Sequence, residues 1–145
     1  MSQIGLDKIL TISGKQGLYK MITQTQTGII ATSIIDQKKI ATNLGQEINL
    51  LSEIRIFGLK DEMPLSEIFK SMYLLEKGKT AKVKPKASKD DLEAYFFDVF
   101  QDYDQDRVYS TDIKKIIQWY NLLLDFGKYN FGLTEEEKPS TTEKK

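Results

Sequence analysis

Gly14-Lys15-Gln16-Gly17-Leu18-Tyr19-Lys20-Met21-Ile22-Thr23-Gln24 reads as a tight turn followed by a strand. Two glycines bracket the turn, and Tyr19 and Met21 then fall opposite Leu18, Lys20 and Ile22, the two-residue period of a pleated ribbon. Working outward, Gly28 to Ile34 is a β-branched stretch headed by glycine, and Lys39 to Leu44 and Ser52 to Phe57 are further short runs. Asp36-Gln37-Lys38 and Asn43-Leu44-Gly45 supply polar turn residues between them. Four or five short strands at roughly ten-residue spacing predict a small antiparallel sheet or SH3-like barrel, whose edges are natural docking sites.

A helix follows. Pro64 suits its first turn, Asp61 and Glu62 lie where negative charge favours the helix N-terminus, and Leu65, Ile68, Phe69, Met72 and Leu75 recur at three- and four-residue steps. This helix is expected to close the β-domain over residues 1–76. Farther on, Ser88 with Asp91 resembles a capping box, and Leu92, Tyr95, Phe96, Val99 and Phe100 share a helical face. A second periodic stretch, capped by Ser110 or Thr111, carries Ile113, Ile116, Ile117, Tyr120, Leu123 and Leu124. Trp119, Leu122 and Phe126 widen that stripe, so this helix is covered on more than one side. The fold class is α+β: the sheet with its closing helix, then a helical hairpin.

The chain has 145 residues, 21 Lys plus Arg and 21 Asp plus Glu, a net charge of zero, and neither His nor Cys. That excludes His-based triads, thiolate nucleophiles, disulfides and zinc or haem sites built on these ligands. The zero conceals a layout. Residues 1–76 hold eight basic and eight acidic residues; 77–89 hold six lysines and no acid. Residues 90–133 set nine acids against Arg107, Lys114, Lys115 and Lys128, and the tail, 134–145, has four Glu and three Lys. Residues 77–89 read as a basic, mobile linker and 134–145 as a disordered tail. No run approaches the roughly 18 apolar residues of a membrane span. The first ten residues, with Asp7 and Lys8 in a short apolar scatter, lack a signal-peptide layout, so a cytoplasmic protein is expected.

Three constellations bear on chemistry. Gly78-Lys79-Thr80 ends like a phosphate-binding loop, but position 73 is Tyr where the pattern needs Gly; Gly14-Lys15 fails likewise at Ile9. Asp102, Asp104 and Asp106 open like a calcium loop, yet Arg107 stands where the sharp turn needs Gly and Ile113 where a bidentate Glu belongs. They are expected to make turn hydrogen bonds, with Arg107 pairing one of them. Asp90, Asp91 and Glu93 cluster at a helix start, where acids stabilise the dipole without chemistry. No catalytic, metal or cofactor residue is assigned. Tyr19, Tyr103 and Tyr109, in or beside turns, are expected to be partly exposed.

Lys8-Ile9-Leu10-Thr11-Ile12-Ser13-Gly14-Lys15-Gln16-Gly17-Leu18-Tyr19-Lys20, with Ser52-Glu53-Ile54 and Pro64-Leu65-Ser66-Glu67-Ile68-Phe69, resembles a domain-of-unknown-function family of short bacterial proteins. Gln16 stands where the family loop has Pro. Tyr103-Asp104-Gln105-Asp106-Arg107-Val108-Tyr109, Asp112-Ile113-Lys114-Lys115 and Trp119-Tyr120-Asn121 resemble a helical family that accompanies it. The resemblance implies the two-part architecture and adds nothing to function. The expected function is that of a non-catalytic interaction or adaptor protein, two modules on a tether, each docking a protein partner. The alternative is a nucleic-acid-associated protein using Lys77, Lys79, Lys82, Lys84, Lys86 and Lys89 with an exposed face of the β-domain, binding weakly and salt-sensitively.

Overall fold

The protein is described by a computed structural model covering residues 5–15, 17–43, 45, 47–127 and 129–133. Gln16, Leu44, Lys128 and the tail expected to be disordered lie outside the described residues.

Five strands, β1 (Ile9–Ile12), β2 (Tyr19–Thr25), β3 (Gly28–Ser33), β4 (Lys39–Ala41) and β5 (Ile48–Leu50), form one antiparallel sheet in the order β4-β3-β2-β1-β5. β4 and β5 are outer strands and do not pair with each other, so the sheet stays open and is not the barrel allowed by the sequence. A bulge between Met21 and Thr23 shifts the β2–β3 register and leaves Ile22 exposed. After a 3-10 turn at Leu51–Glu53, β6 (Arg55–Ile56) and β7 (Met63–Pro64) make a separate ribbon leading into α1 (Leu65–Leu75). Ser52 to Phe57, expected as one strand, is therefore divided between that turn and β6.

Strand alternation divides the apolar residues between the two sheet faces. Leu10, Ile12, Tyr19 and Ala31 are buried on one face, with Met21, Ile29, Ile40, Ile48 and Leu50 half-buried around them. Ile9, Leu18, Ile34 and Leu51 belong to the larger core, shared with α1, α2 (Lys89–Val99) and α3 (Ser110–Phe126). Two unlike modules on a tether would each bury their own core. Here one core runs through both halves, because the apolar faces of α1, α2 and α3 meet over the sheet.

The helix faces follow their spacing. Leu92, Tyr95, Phe96, Val99, Ile113, Ile116, Ile117, Tyr120 and Leu123 are all buried, whereas Leu75 and Leu124 lie outside the buried set. Ser88 caps α2, its Oγ accepting from the Asp91 N–H at 3.2 Å. For α3 the cap falls one residue earlier than expected, at Tyr109, whose N–H donates to the Asp112 carboxylate at 3.0 Å. Tyr19 and Tyr103 are buried rather than partly exposed, because Tyr19 packs in the cluster with Leu10, Ile12 and Ala31 and Tyr103 packs edge-on against Phe96; Tyr109 is 62% exposed. Beyond α3 the chain turns back at Gly127, and Tyr129, Phe131 and Leu133 are buried, Phe131 stacking 4.6 Å from Tyr73 and 5.5 Å from Tyr120.

Candidate functional site

The aspartate loop is a structural joint. Asp104 accepts from Arg107 Nε and from the Asp106 N–H, both at 3.0 Å, and the Arg107 guanidinium lies 4.3 Å from the Phe57 ring centre. That guanidinium, aided by the backbone donors, holds the Asp104 carboxyl below its ordinary range. The loop pairs with the chain before β7: Leu59 N–H donates to the Asp102 carbonyl and Asp104 N–H to the Phe57 carbonyl. Gly58 sits at this joint, where a methyl group would overlap the Asp61 carbonyl and meet the Phe100 ring. Among the described residues no cluster of three or more acidic side chains is arranged to hold a metal ion.

The six lysines, expected on a mobile linker, lie on a strap whose backbone is hydrogen-bonded to side chains at three points. It opens with a Schellman cap on α1: Gly78 N–H donates to the Tyr73 carbonyl at 3.0 Å and Lys77 N–H to the Leu74 carbonyl at 3.3 Å. Gly78, the glycine of the apparent phosphate-loop tripeptide, thus closes a helix end. Three side chains then hold the strap's backbone. Asn121 Oδ1 accepts from the Ala81 N–H at 3.0 Å, Tyr120 Oη donates to the Lys79 carbonyl at 2.6 Å, and Glu76 Oε2 accepts from the Lys82 N–H at 3.0 Å. The same Glu76 oxygen accepts from Tyr95 Oη at 2.7 Å. Ala87 N–H bonds back to the Lys84 carbonyl, closing a turn with Pro85 at its second position.

Exposure alternates along this strap. Ala81, Val83, Pro85 and Ala87 are half-buried, the alanines and valine against the common core, whereas Lys77, Lys79, Lys82, Lys84, Lys86 and Lys89 are all exposed. None of the six makes an ion pair among the described residues, where the ion pair found is Arg107–Asp104. The structure thus brings all six predicted lysines onto one backbone segment of fixed path. Lys82, Lys84 and Lys86 also line a shallow groove of about 600 Å³ whose other wall is α2, with Asp91, Tyr95 and Asp98.

Lys77 itself has φ +57°, left-handed backbone that glycine adopts at no steric cost. Lys77→Gly is expected to raise stability by about 0.5–1 kcal/mol, read as a higher urea midpoint at unchanged m-value.

Beside the strap, reached at Pro85, a larger cleft of about 890 Å³ separates the sheet from α3. One wall is helical, with Lys115, Gln118, Trp119 and Leu122 on one face; the other is Thr11 and Ser13 of the β1 side with Glu47 and Asn49 of the β5 side. Lys15 and Ile35, the latter 60% exposed, stand at the turn end. The volume lies in the range of ligand sites, and the lining combines an indole and aliphatic carbons with amides and two cations. Sequence reasoning missed this cleft, because its walls come from segments about a hundred positions apart.

The buried phenols are locks rather than acids. Burial, reinforced by the bond to Glu76, pushes Tyr95 far above the ordinary phenol value; burial first and then the Glu76 charge does the same to Tyr120, and burial raises Tyr129 to about 12. An unfolded tyrosine ionises near 10, so these groups contribute fully to stability below that pH and the contribution is lost as pH rises through the folded values. Urea midpoints should stay level from pH 7 to 9 and fall between pH 10 and 12, while absorbance of the native protein at tyrosinate wavelengths lags behind that of the unfolded chain.

The fold and the cleft can be set beside known proteins. Residues 6–51 match a family model described as domain of unknown function (DUF5606), and residues 54–123 match a second, domain of unknown function (DUF6852). The junction falls between Leu51 and Ile54, so α1 goes with the helical family rather than with the sheet. The chain belongs to the family of proteins that join these two domains. A solution NMR structure from Bacteroides vulgatus, a structural-genomics target, is similar to it, with 38% identity and a TM-score of 0.73 over 87% of this chain and 90% of that one. No curated protein matches. No helix among the described residues is long and apolar enough to cross a membrane.

Proposed function

We propose that the protein is a non-catalytic interaction protein of the cytoplasm, acting as one rigid body, whose docking surface is the lysine strap together with the adjoining cleft. The observation that carries this reading is the anchoring of the strap: six exposed lysines, without ion pairs among the described residues, on a backbone held by Glu76, Tyr120 and Asn121. A pinned array loses little conformational entropy when it meets a partner, whereas a mobile arm must be ordered first. The partner is a protein with an acidic surface. The absence of His and Cys supports a role without chemistry, and the absence of Cys suits a reducing compartment.

The test is affinity purification with the intact chain and with a Lys82→Gln, Lys84→Gln, Lys86→Gln chain, after nuclease treatment and at two salt concentrations. A protein retained by the former at low salt and lost by the latter supports the reading. An unchanged set of bound proteins refutes it.

The second reading is nucleic-acid association, favoured by the same lack of acidic partners for the lysines among the described residues. Asp91 and Asp98, which share the groove of Lys82, Lys84 and Lys86, lower the local positive potential for either partner. Oligouridine affinity that falls steeply with salt and with Gln at Lys79, Lys82, Lys84 and Lys86 would favour nucleic-acid association over the protein partner.

A further inference from the structure

The open edge of β5 and the cleft beside it form one continuous surface. Among the described residues β5 pairs with β1 alone in the sheet. Ser13 N–H donates to the Glu47 carbonyl at 2.9 Å, which makes Thr11–Asn49 the next hydrogen-bonded pair and turns the amides of Ile48 and Leu50 away from β1. Those two residues present backbone donors and acceptors to the open side. Their side chains rim the second sheet face, half-buried around Leu10 and Ile12. Glu47 and Asn49 point to the opposite face and line the cleft, across from Lys115, Gln118 and Trp119 of α3.

We propose that an extended acidic segment of a partner protein adds here as a sixth strand, paired with β5, a proposal that rests on the protein-partner reading above. The alternation of a strand fixes the chemistry of the occupant. Side chains on one side of it meet Ile48 and Leu50 and must be apolar. Those on the other side enter the cleft, where Lys15 and Lys115 line the walls and Glu47 is the one lining carboxylate. Two cations against one anion favour acidic side chains at these positions. β5 is three residues long, so a partner strand of about four to six residues spans it.

The probe is the synthetic peptide acetyl-Glu-Val-Glu-Val-Glu-Ile-Glu-amide, titrated into the full-length, nitrogen-15-labelled protein. The expected result is saturable movement of the Thr11, Ile48 and Leu50 amides and the Trp119 indole signal, with slowed amide exchange at Ile48 and Leu50. Lys115→Glu, an exposed change, should weaken binding about tenfold, as should raised salt. A peptide N-methylated at alternate amides should lose binding, which separates strand pairing from charge attraction. Equal binding of a peptide with Lys in place of Glu, equal binding of the N-methylated peptide, or displacement by octauridine from these same signals would overturn the proposal. Shifts confined to residues 77–89 would overturn the sixth strand while leaving the strap as a docking surface, so the two ideas fail separately.

Discussion

Phe69→Ala will destabilise the protein by about 3–5 kcal/mol and melt the sheet and the helical hairpin in one transition. Phe69 is fully buried in the core that contains Ile9, Leu18 and Ile34 from the sheet side and Phe96, Ile117 and Tyr120 from the hairpin. Its ring cannot be removed without leaving a void in contact with both halves, and dense packing lets neither half close it. Total stabilities of about 5–15 kcal/mol leave little margin for such a loss. Trp119 fluorescence reports α3, and the Leu10 and Ala31 amide signals report the sheet. Coincident urea curves with a common shift are expected. A hairpin that kept its own midpoint while the sheet unfolded would show two independent modules and overturn the single-body account.

Glu76→Ala is expected to cost about 2 kcal/mol, through the loss of one oxygen that accepts from both Tyr95 Oη and the Lys82 N–H. Tyr95 is 2% exposed, so its hydroxyl would be stranded away from water. An opposing effect exists. Glu76 sits at the C-terminal end of α1, where a negative charge is unfavourable, and removing it returns about 0.3–1 kcal/mol. The stranded phenol outweighs that gain. Glu76→Gln, which keeps an acceptor and drops the charge, should lose less than Ala. Amide exchange at Ala81 and Lys82 should quicken in the Ala variant, because the strap loses one of its three side-chain holds. Exchange as slow as in the parent protein would mean that Asn121 and Tyr120 suffice.

Elements with long periodic faces were legible from the sequence. Leu65 to Met72, Leu92 to Val99 and Ile113 to Leu123 declare three helices, and Leu18 to Gln24 and Gly28 to Ile34 announce β2 and β3. Ile9–Ile12 and Ile48–Leu50 escaped, because three or four residues are too few to establish a period before pairing is known. The strap escaped for another reason. Ala81-Lys82-Val83-Lys84-Pro85-Lys86-Ala87 alternates at every position, yet Ala and Pro are weakly apolar and the lysines dominate any average. What holds it, Glu76, Tyr120 and Asn121, lies up to 41 positions away. The candidate lysines were readable one by one; the cleft that the strap reaches at Pro85 depends on α3 meeting β1 and β5, which no local pattern encodes.

The junction between Leu51 and Ile54 also has a temporal meaning. The sheet leaves the ribosome first, and the apolar side it offers through Ile9, Leu18, Ile34 and Leu51 is not fully covered until α3 has followed α1 and α2. Synthesis from Leu51 to Phe126 at the usual elongation rates takes on the order of ten seconds. During that interval the nascent chain carries an incompletely covered apolar surface, the kind of intermediate that aggregates unless it is shielded.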